Sequence, residues 1–428
     1  MSIFKSIRLG MVHVAVTISF ALITGVLNRV MIFELQILAS LTALLVVLPY
    51  LFSPLQIWVG RLSDSHPIAG YHRTPYIALG MLLCLGGTLL TPQAAFALAA
   101  GVWYGLPLAL LVFGVWGFGY NLAVVAYLAL ASDLATEAQR ARTISIMWFM
   151  MIIAIIVTAV GVGRALEPFS YARLTIVFAV VCALALLFGV LGLVGIEQRD
   201  AAPVHSGRPV SFRALLANPS ARWFFIYLII MLSAILAQDV LLEPYGAEAF
   251  GMSVGETTRL TSVWGGATLV SLLLYGLLLN RVMSKRQGAA LGGVLAALGL
   301  AAIGLSGVLE MRELFLPAIT LLGLGTGIAT SSNLALMLDM TLPQQAGMFI
   351  GAWGVADSVA RGIGTLLGGI GRDTFALLSG DPILGYSIVF FVEALFLAAS
   401  LLMLRRLDVA TFRNARVQLS ELMTAGSV

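Results

Sequence analysis

The chain has 428 residues, of which 60% are hydrophobic and only 10% charged, with a mean hydropathy of +1.01. That balance excludes an ordinary soluble domain and reads as an integral membrane protein whose solvent is lipid. The net charge of +4 comes without a basic patch interleaved with aromatics, which argues against a nucleic-acid partner.

At about 20 apolar residues per crossing, spans are predicted over residues 9–31, 37–59, 75–98, 106–131, 144–163, 173–195, 223–245, 259–280, 288–308, 314–338, 346–370 and 384–404. No alternating strand pattern survives between these runs. An open sheet in lipid would leave backbone groups unpaired, so the expected fold class is all-α with twelve transmembrane helices. The first run is longer than a secretory signal core and has no small-residue cleavage pattern, so it is expected to remain as helix 1. With the N-terminus inside, most of the 24 Lys and Arg residues fall in inner segments, while Arg164, Arg173, Arg259, Arg312 and Arg372 lie outside. Both termini are therefore expected to be cytoplasmic. Cys84 and Cys182 fall inside predicted helices, where they read as apolar side chains.

The chain repeats itself at an offset of roughly 210 residues. Gly117-Phe118-Gly119 and Leu128-Ala129-Leu130, ending at Asp133, recur as Gly323-Leu324-Gly325 and Leu334-Ala335-Leu336, ending at Asp339. Gly60 recurs as Gly276, and Asn28-Arg29-Val30 as Gln238-Asp239-Val240. Two pseudo-symmetric six-helix bundles follow, at residues 1–195 and 223–404. A cytoplasmic linker at 196–222 joins them, holding Pro203, Gly207, Pro209 and Pro219 and a short amphipathic turn around Phe212 to Leu216. Residues 405–428 form a cytoplasmic tail.

Between the second and third spans, Gly60, Arg61, Leu62, Ser63 and Asp64, followed by His72 and Arg73, resemble the signature loop of major facilitator transporters. In that reading Gly60 lets a neighbouring helix approach, and Asp64 meets a helix N-terminus or a basic residue to hold a cytoplasmic gate shut. Asp64 and Arg73 are farther apart than in the general motif. Narrower words are similar to the bacteriochlorophyll-delivery branch of the superfamily, which includes PucC-type and LhaA-type factors for light-harvesting complex assembly. They are Leu27-Asn28-Arg29-Val30-Met31-Ile32-Phe33-Glu34-Leu35, Leu51-Phe52-Ser53-Pro54, Arg73-Thr74-Pro75-Tyr76-Ile77 and Gln238-Asp239-Val240-Leu241-Leu242-Glu243-Pro244-Tyr245-Gly246. The resemblance implies a non-enzymatic factor of a bacterial inner or intracytoplasmic photosynthetic membrane. Such a factor delivers bacteriochlorophyll, as bound cargo rather than covalent cofactor, to light-harvesting or reaction-centre polypeptides, with pigment-synthesis enzymes as further partners. The residues themselves leave a second reading open, a proton-coupled transporter of a small metabolite with Asp239, Glu243, Asp339 and Asp357 as titratable sites.

Charged side chains in a bilayer cost about 2.5–3.5 kcal/mol each on insertion scales, so each needs a reason. Asp357 and Arg361 are four apart on one face of a predicted helix, either neutralising each other for insertion or lining the interface between the halves. Arg29 and Asp239 occupy repeat-equivalent positions with opposite charges, which suggests an ion pair between the halves, with Glu34 and Glu243 as competing carboxylates. The alternative is that each pairs within its own half or reaches the interface. Glu393 sits in mid-helix 12 and is expected to face lipid or a partner, or to make a local hydrogen bond. His13 is the one histidine of the four inside a predicted span; it reads either as a packed or interfacial side chain or, because imidazole is a common metal ligand, as the candidate to ligate a chlorin magnesium. Gly117, Gly119, Tyr120, Gly323, Gly325, Trp116, Trp264 and Trp353 suit either a flat macrocycle or plain helix packing. No P-loop, H-E-x-x-H, nucleophile elbow or metal-spaced Cys/His cluster occurs, so no enzyme, catalytic residue or bound metal is expected.

Overall fold

The computed structural model describes residues 3–135, 137–199, 219–339 and 346–405. Among them every extended element is helical, with one isolated bridge between Ile68 and Tyr71. In chain order the helices are α1 (Ile3–Glu34), α2 in three pieces (Ala39–Val46, Leu48–Leu51 and Leu55–Ser65), α3 (Thr74–Ala99), α4 (Gly105–Leu134) and α5 (Glu137–Ala165). They continue as α6 (Tyr171–Leu193), α7 in two pieces (Pro219–Leu236 and Gln238–Phe250), α8 (Val254–Val282), α9 (Lys285–Val308), α10 (Arg312–Asp339), α11 (Ala346–Ser379) and α12 (Pro382–Arg405). Ten of these, all but α2 and α11, are long and apolar enough to cross a membrane among the described residues. The two others fall where the sequence predicts the second and eleventh crossings, so the all-helical expectation holds and twelve crossings fit. The predicted turn at 212–216 and the tail beyond 405 lie outside the described residues.

Two departures from regular helix matter for function. In α1, π turns at Ile23–Leu27 and Val30–Glu34 bracket Asn28 and Arg29. Such turns leave the usual backbone ladder and often mark functional positions. In α2, Pro49 and Pro54 lack the N–H that a continuous helix needs, and the chain turns at Val47 and again at 52–54. At the second break the Ser53 N–H turns to the Tyr50 carbonyl, and Asn121 of α4 donates its side-chain amide to the Pro49 carbonyl so freed, at 2.7 Å, while accepting from Gln56 at 2.6 Å. Backbone groups opened inside the membrane thus find partners.

The chain packs as two compact units. Unit 1 is Met1–His205 with Asp239–Gly265 and Thr365–Tyr386; unit 2 is Ser206–Gln238, Gly266–Gly364 and Ser387–Val428. The α7–α8 corner and the α11–α12 corner therefore belong with α1 to α6. Within unit 1, α3 and α4 touch through glycine: a Cβ at Gly87 would stand 2.7 Å from the Trp116 backbone nitrogen. In unit 2, α9 and α10 do the same, with 2.6 Å from Gly299 to the Leu322 nitrogen. Small residues that let backbones meet are what membrane helices use in place of a hydrophobic driving force.

Candidate functional site

The loop end of unit 1 is built around Arg73, whose side chain is 6% exposed. Its Nε donates to Asp133 at 3.1 Å, and its terminal nitrogens donate to Asp64 and to the Ser63 hydroxyl. One buried guanidinium thus serves two carboxylates, a charge-assisted geometry. Beside it Glu197, just past α6, accepts the backbone N–H groups of His72, Arg73 and Thr74 at 2.6–3.2 Å. Those N–H groups open α3, so the carboxylate sits where the helix dipole favours negative charge. Sequence reasoning selected Gly60, Asp64 and Arg73. The structure brings Asp64 and Arg73 together, whereas Gly60 makes no close approach, because a Cβ there would meet Val125 at an ordinary 3.7 Å. Glu197 and the pairing role of Asp133 were missed; the signal for Asp133 was its place at the end of the repeated α4 word.

At the opposite end of unit 1, Arg29 is 2% exposed and donates to Glu34 at 2.6 Å and to the Met252 carbonyl at 3.0 Å. Asn28 donates to the Val240 carbonyl at 2.7 Å. The carboxylate that meets Arg29 is therefore Glu34 of its own helix, brought round by the second π turn. Glu243 is bound instead by the Thr261 hydroxyl at 2.6 Å, and Asp239 opens the second piece of α7 close enough to act on its charge. A further carboxylate that the sequence did not single out, Asp373 of α11, accepts the Ala39 and Ser40 N–H groups at 3.2 and 2.8 Å and so caps α2. Arg372 pairs with it at 3.0 Å and lies over the Tyr386 ring.

A third cluster runs along one face of α1. His13, 6% exposed, sits edge-on to Tyr127 with ring centres 5.2 Å apart and 6.2 Å from Trp148. Two turns on, Phe20 meets Tyr120 at 4.5 Å, Trp116 at 4.9 Å and Tyr50 at 5.9 Å. The His13 Nε2 lies 3.0 Å from the Met151 sulfur, and Nδ1 is buried with no hydrogen-bond partner. With Nε2–H donated to that weak acceptor, Nδ1 keeps its lone pair. Of the residues that suited either a macrocycle or plain helix packing, Gly117 packs on Pro49, Gly119 on Cys84 and Gly325 on Ala296, and Trp116 is fully buried with its N–H on Ser19.

In unit 2 the Asp357–Arg361 pair forms as expected, at 2.9 Å. Glu393 does not face lipid. It is 5% exposed, because Gly304 of α9 lets α12 come close at Ser387 and Phe390 and draws that face inward. The side chain of Asp339 lies outside the described residues.

These features sit in a chain whose residues 26–412 match the family model described as PUCC protein. The chain belongs to the PUCC family. Among its relatives, Protein PucC of Rhodovulum sulfidophilum is 33% identical, over 86% of this chain and 85% of the relative. The Bacteriochlorophyll synthase 44.5 kDa chain of Rhodobacter capsulatus is 32% identical, over 92% of this chain and 93% of the relative. A solved bacterial homologue of the human lysosomal transporter Spinster superposes with a TM-score of 0.74 at 13% identity, covering 96% of this chain and 97% of that one. The fold is that of major facilitator transporters, and the family is related to photosynthesis, as the resemblance in the sequence implied.

Proposed function

We propose that the chain is a non-enzymatic membrane factor that delivers bacteriochlorophyll and assists assembly of light-harvesting or reaction-centre complexes, set in a bacterial inner or photosynthetic membrane with both termini cytoplasmic. Its support in the molecule is the α1 face, where one histidine with a free, buried ring nitrogen stands in line with a cluster of aromatic rings. Imidazole nitrogen suits ligation of a chlorin magnesium, Tyr127 and Trp148 flank it, and Phe20, Tyr50 and Tyr120 continue the flat apolar surface two turns further along α1. With Nε2–H on the Met151 thioether, Nδ1 is the nitrogen left to ligate.

The full chain is purified in mild detergent from a pigment-making host, and a deletion strain is examined in parallel. Bacteriochlorophyll co-purifying with the wild type, its loss in His13→Leu at unchanged protein level, and reduced antenna in the deletion strain are the expected results. No pigment on the wild type together with normal antenna in the deletion strain overturns the proposal. Uptake of a small metabolite driven by a pH gradient in vesicles is the outcome that favours the transporter reading instead.

A further inference from the structure

Unit 1 contains a carboxyl that the pigment reading does not use. Glu243 of α7 is 3% exposed. Its Oε1 accepts from Thr261 of α8 at 2.6 Å, and a Cβ placed on Gly25 of α1 would stand 3.2 Å from that same oxygen, so three helices close around it. Its Oε2 is buried with no hydrogen-bond partner. The charged groups that act on it are Arg29 of α1 and Asp239, one turn earlier on α7. Arg29 is already paired with Glu34 and bonded to the Met252 carbonyl, and Asp239 opposes a second negative charge nearby. Asn28 Oδ1 and Arg29 Nε, which flank the same turn of α1, are likewise buried without partners.

An ionised carboxylate in this place would keep one neutral hydrogen bond and no cation of its own. Uncompensated charge of that kind is expensive in a dry interior, and the ordinary resolution is for the group to take up a proton. The lack of a side chain at Gly25, within the π turn Ile23–Leu27, leaves the carboxyl against the α1 backbone, where a Cβ would make one of the two give way by a few tenths of an ångström.

We propose that Glu243 is a proton-binding site. The carboxyl carries its proton while the α7–α8 corner stays packed on Gly25, and gives it to water when that corner parts from α1. One O–H bond breaks, the proton leaves with a water molecule, and a carboxylate remains beside Arg29. The site stands whether or not the cargo is a pigment, because none of its residues belongs to the His13 face.

Infrared difference spectroscopy on the purified full-length chain tests this directly. A carbonyl stretch of protonated carboxyl, shifted in heavy water, is expected in the wild type and lost in Glu243→Gln, whose amide keeps the acceptor for Thr261. A wild-type minus Glu243→Gln spectrum that shows only ionised-carboxylate bands overturns the proposal. If Glu243→Gln does not accumulate, Thr261→Val is used: loss of the hydrogen bond to Oε1 should move the protonated-carboxyl band to higher frequency. An unmoved band then counts against the site. Pigment binding, measured in the same preparations, should be unaffected by either substitution.

Discussion

The α3–α4 pair of unit 1 and the α9–α10 pair of unit 2 make the same contacts and hold their ends differently. Gly80 on Ala123, Gly87 on Trp116 and Gly119 on Cys84 in the first correspond, position by position in the repeat, to Gly292 on Ala329, Gly299 on Leu322 and Gly325 on Ala296 in the second. At the start of α3, however, the orphan N–H groups go to Glu197, more than a hundred residues away, and Arg73 is pinned by Asp64 and Asp133. At the start of α9 the same task is local: Ser284 and Gln287 form a capping box, and Asn280, which stands four residues after Gly276 as Asp64 does after Gly60, donates to the Gly276 carbonyl at 2.8 Å. Packing is common to both halves, whereas the α3 end is held by the long-range ties of Glu197, Asp64 and Asp133, and the capping contacts described at the start of α9 are local. Close backbone contact needs only small residues in register, so duplication preserves it; a buried ion cluster needs several distant residues at once.

The largest effect that would sharpen this contrast is at Arg73. Arg73→Ala leaves Asp133 without its guanidinium in a partly buried site, and removing one partner of a buried pair costs about 3–5 kcal/mol. Asn280→Ala, which removes the local bond to the Gly276 carbonyl just before α9, should cost far less, within about 0.5–1.5 kcal/mol. Unfolding midpoints of the two variants in the same detergent check this. Equal losses would mean that the ionic tie holds its end no more strongly than the local bond does.

Next come the glycines, which should behave alike. Gly87→Val and Gly299→Val both force a branched side chain against backbone, and overpacking of that kind typically costs about 1–3 kcal/mol. A large difference between them, read from folded yield and unfolding midpoint, would break the claim that the two halves share one packing solution. A smaller pair follows at the caps. Glu197→Ala should cost about 2 kcal/mol, since three backbone donors lose their acceptor, and Ser284→Ala about 1 kcal/mol.

Much of this contrast was legible before the structure, and the missing parts share a cause. Span positions follow from the length of apolar runs, and the repeated glycines were visible as words. The breaks in α2 were not, because its apolar run continues through Pro49 and Pro54 and only Asn121, on another helix, makes the turn tenable. For Arg29 a pair with Asp239 and a pair within its own half were both open, with Glu34 as a competing carboxylate; a π turn places Glu34, five residues on, within 2.6 Å, a spacing that regular helix does not favour. Glu197 and Asp373 act by capping helices distant in sequence, and an acidic residue in a loop carries no mark of which helix it will cap. The Asp357–Arg361 pair was legible because its spacing is a property of one helix.

The smallest expected effect tests the comparison most closely, because it writes the unit 2 residue into unit 1. Asp64→Asn turns the Gly60 to Asp64 spacing into the Gly276 to Asn280 one. Asp64 is 52% exposed, so its pair with Arg73 is screened by solvent, and Arg73 retains Asp133 and Ser63. The loss should therefore stay below about 1 kcal/mol, with the fold intact. What should change is access: a cysteine introduced at Ser65 is expected to label faster once the loop is no longer drawn toward Arg73. If Asp64→Asn is instead as damaging as Arg73→Ala, then Asp64 rather than Asp133 is the partner that balances the buried guanidinium. If neither stability nor labelling changes, Asp64 contributes nothing to holding this end, and Asp133 with Glu197 carries the whole of it.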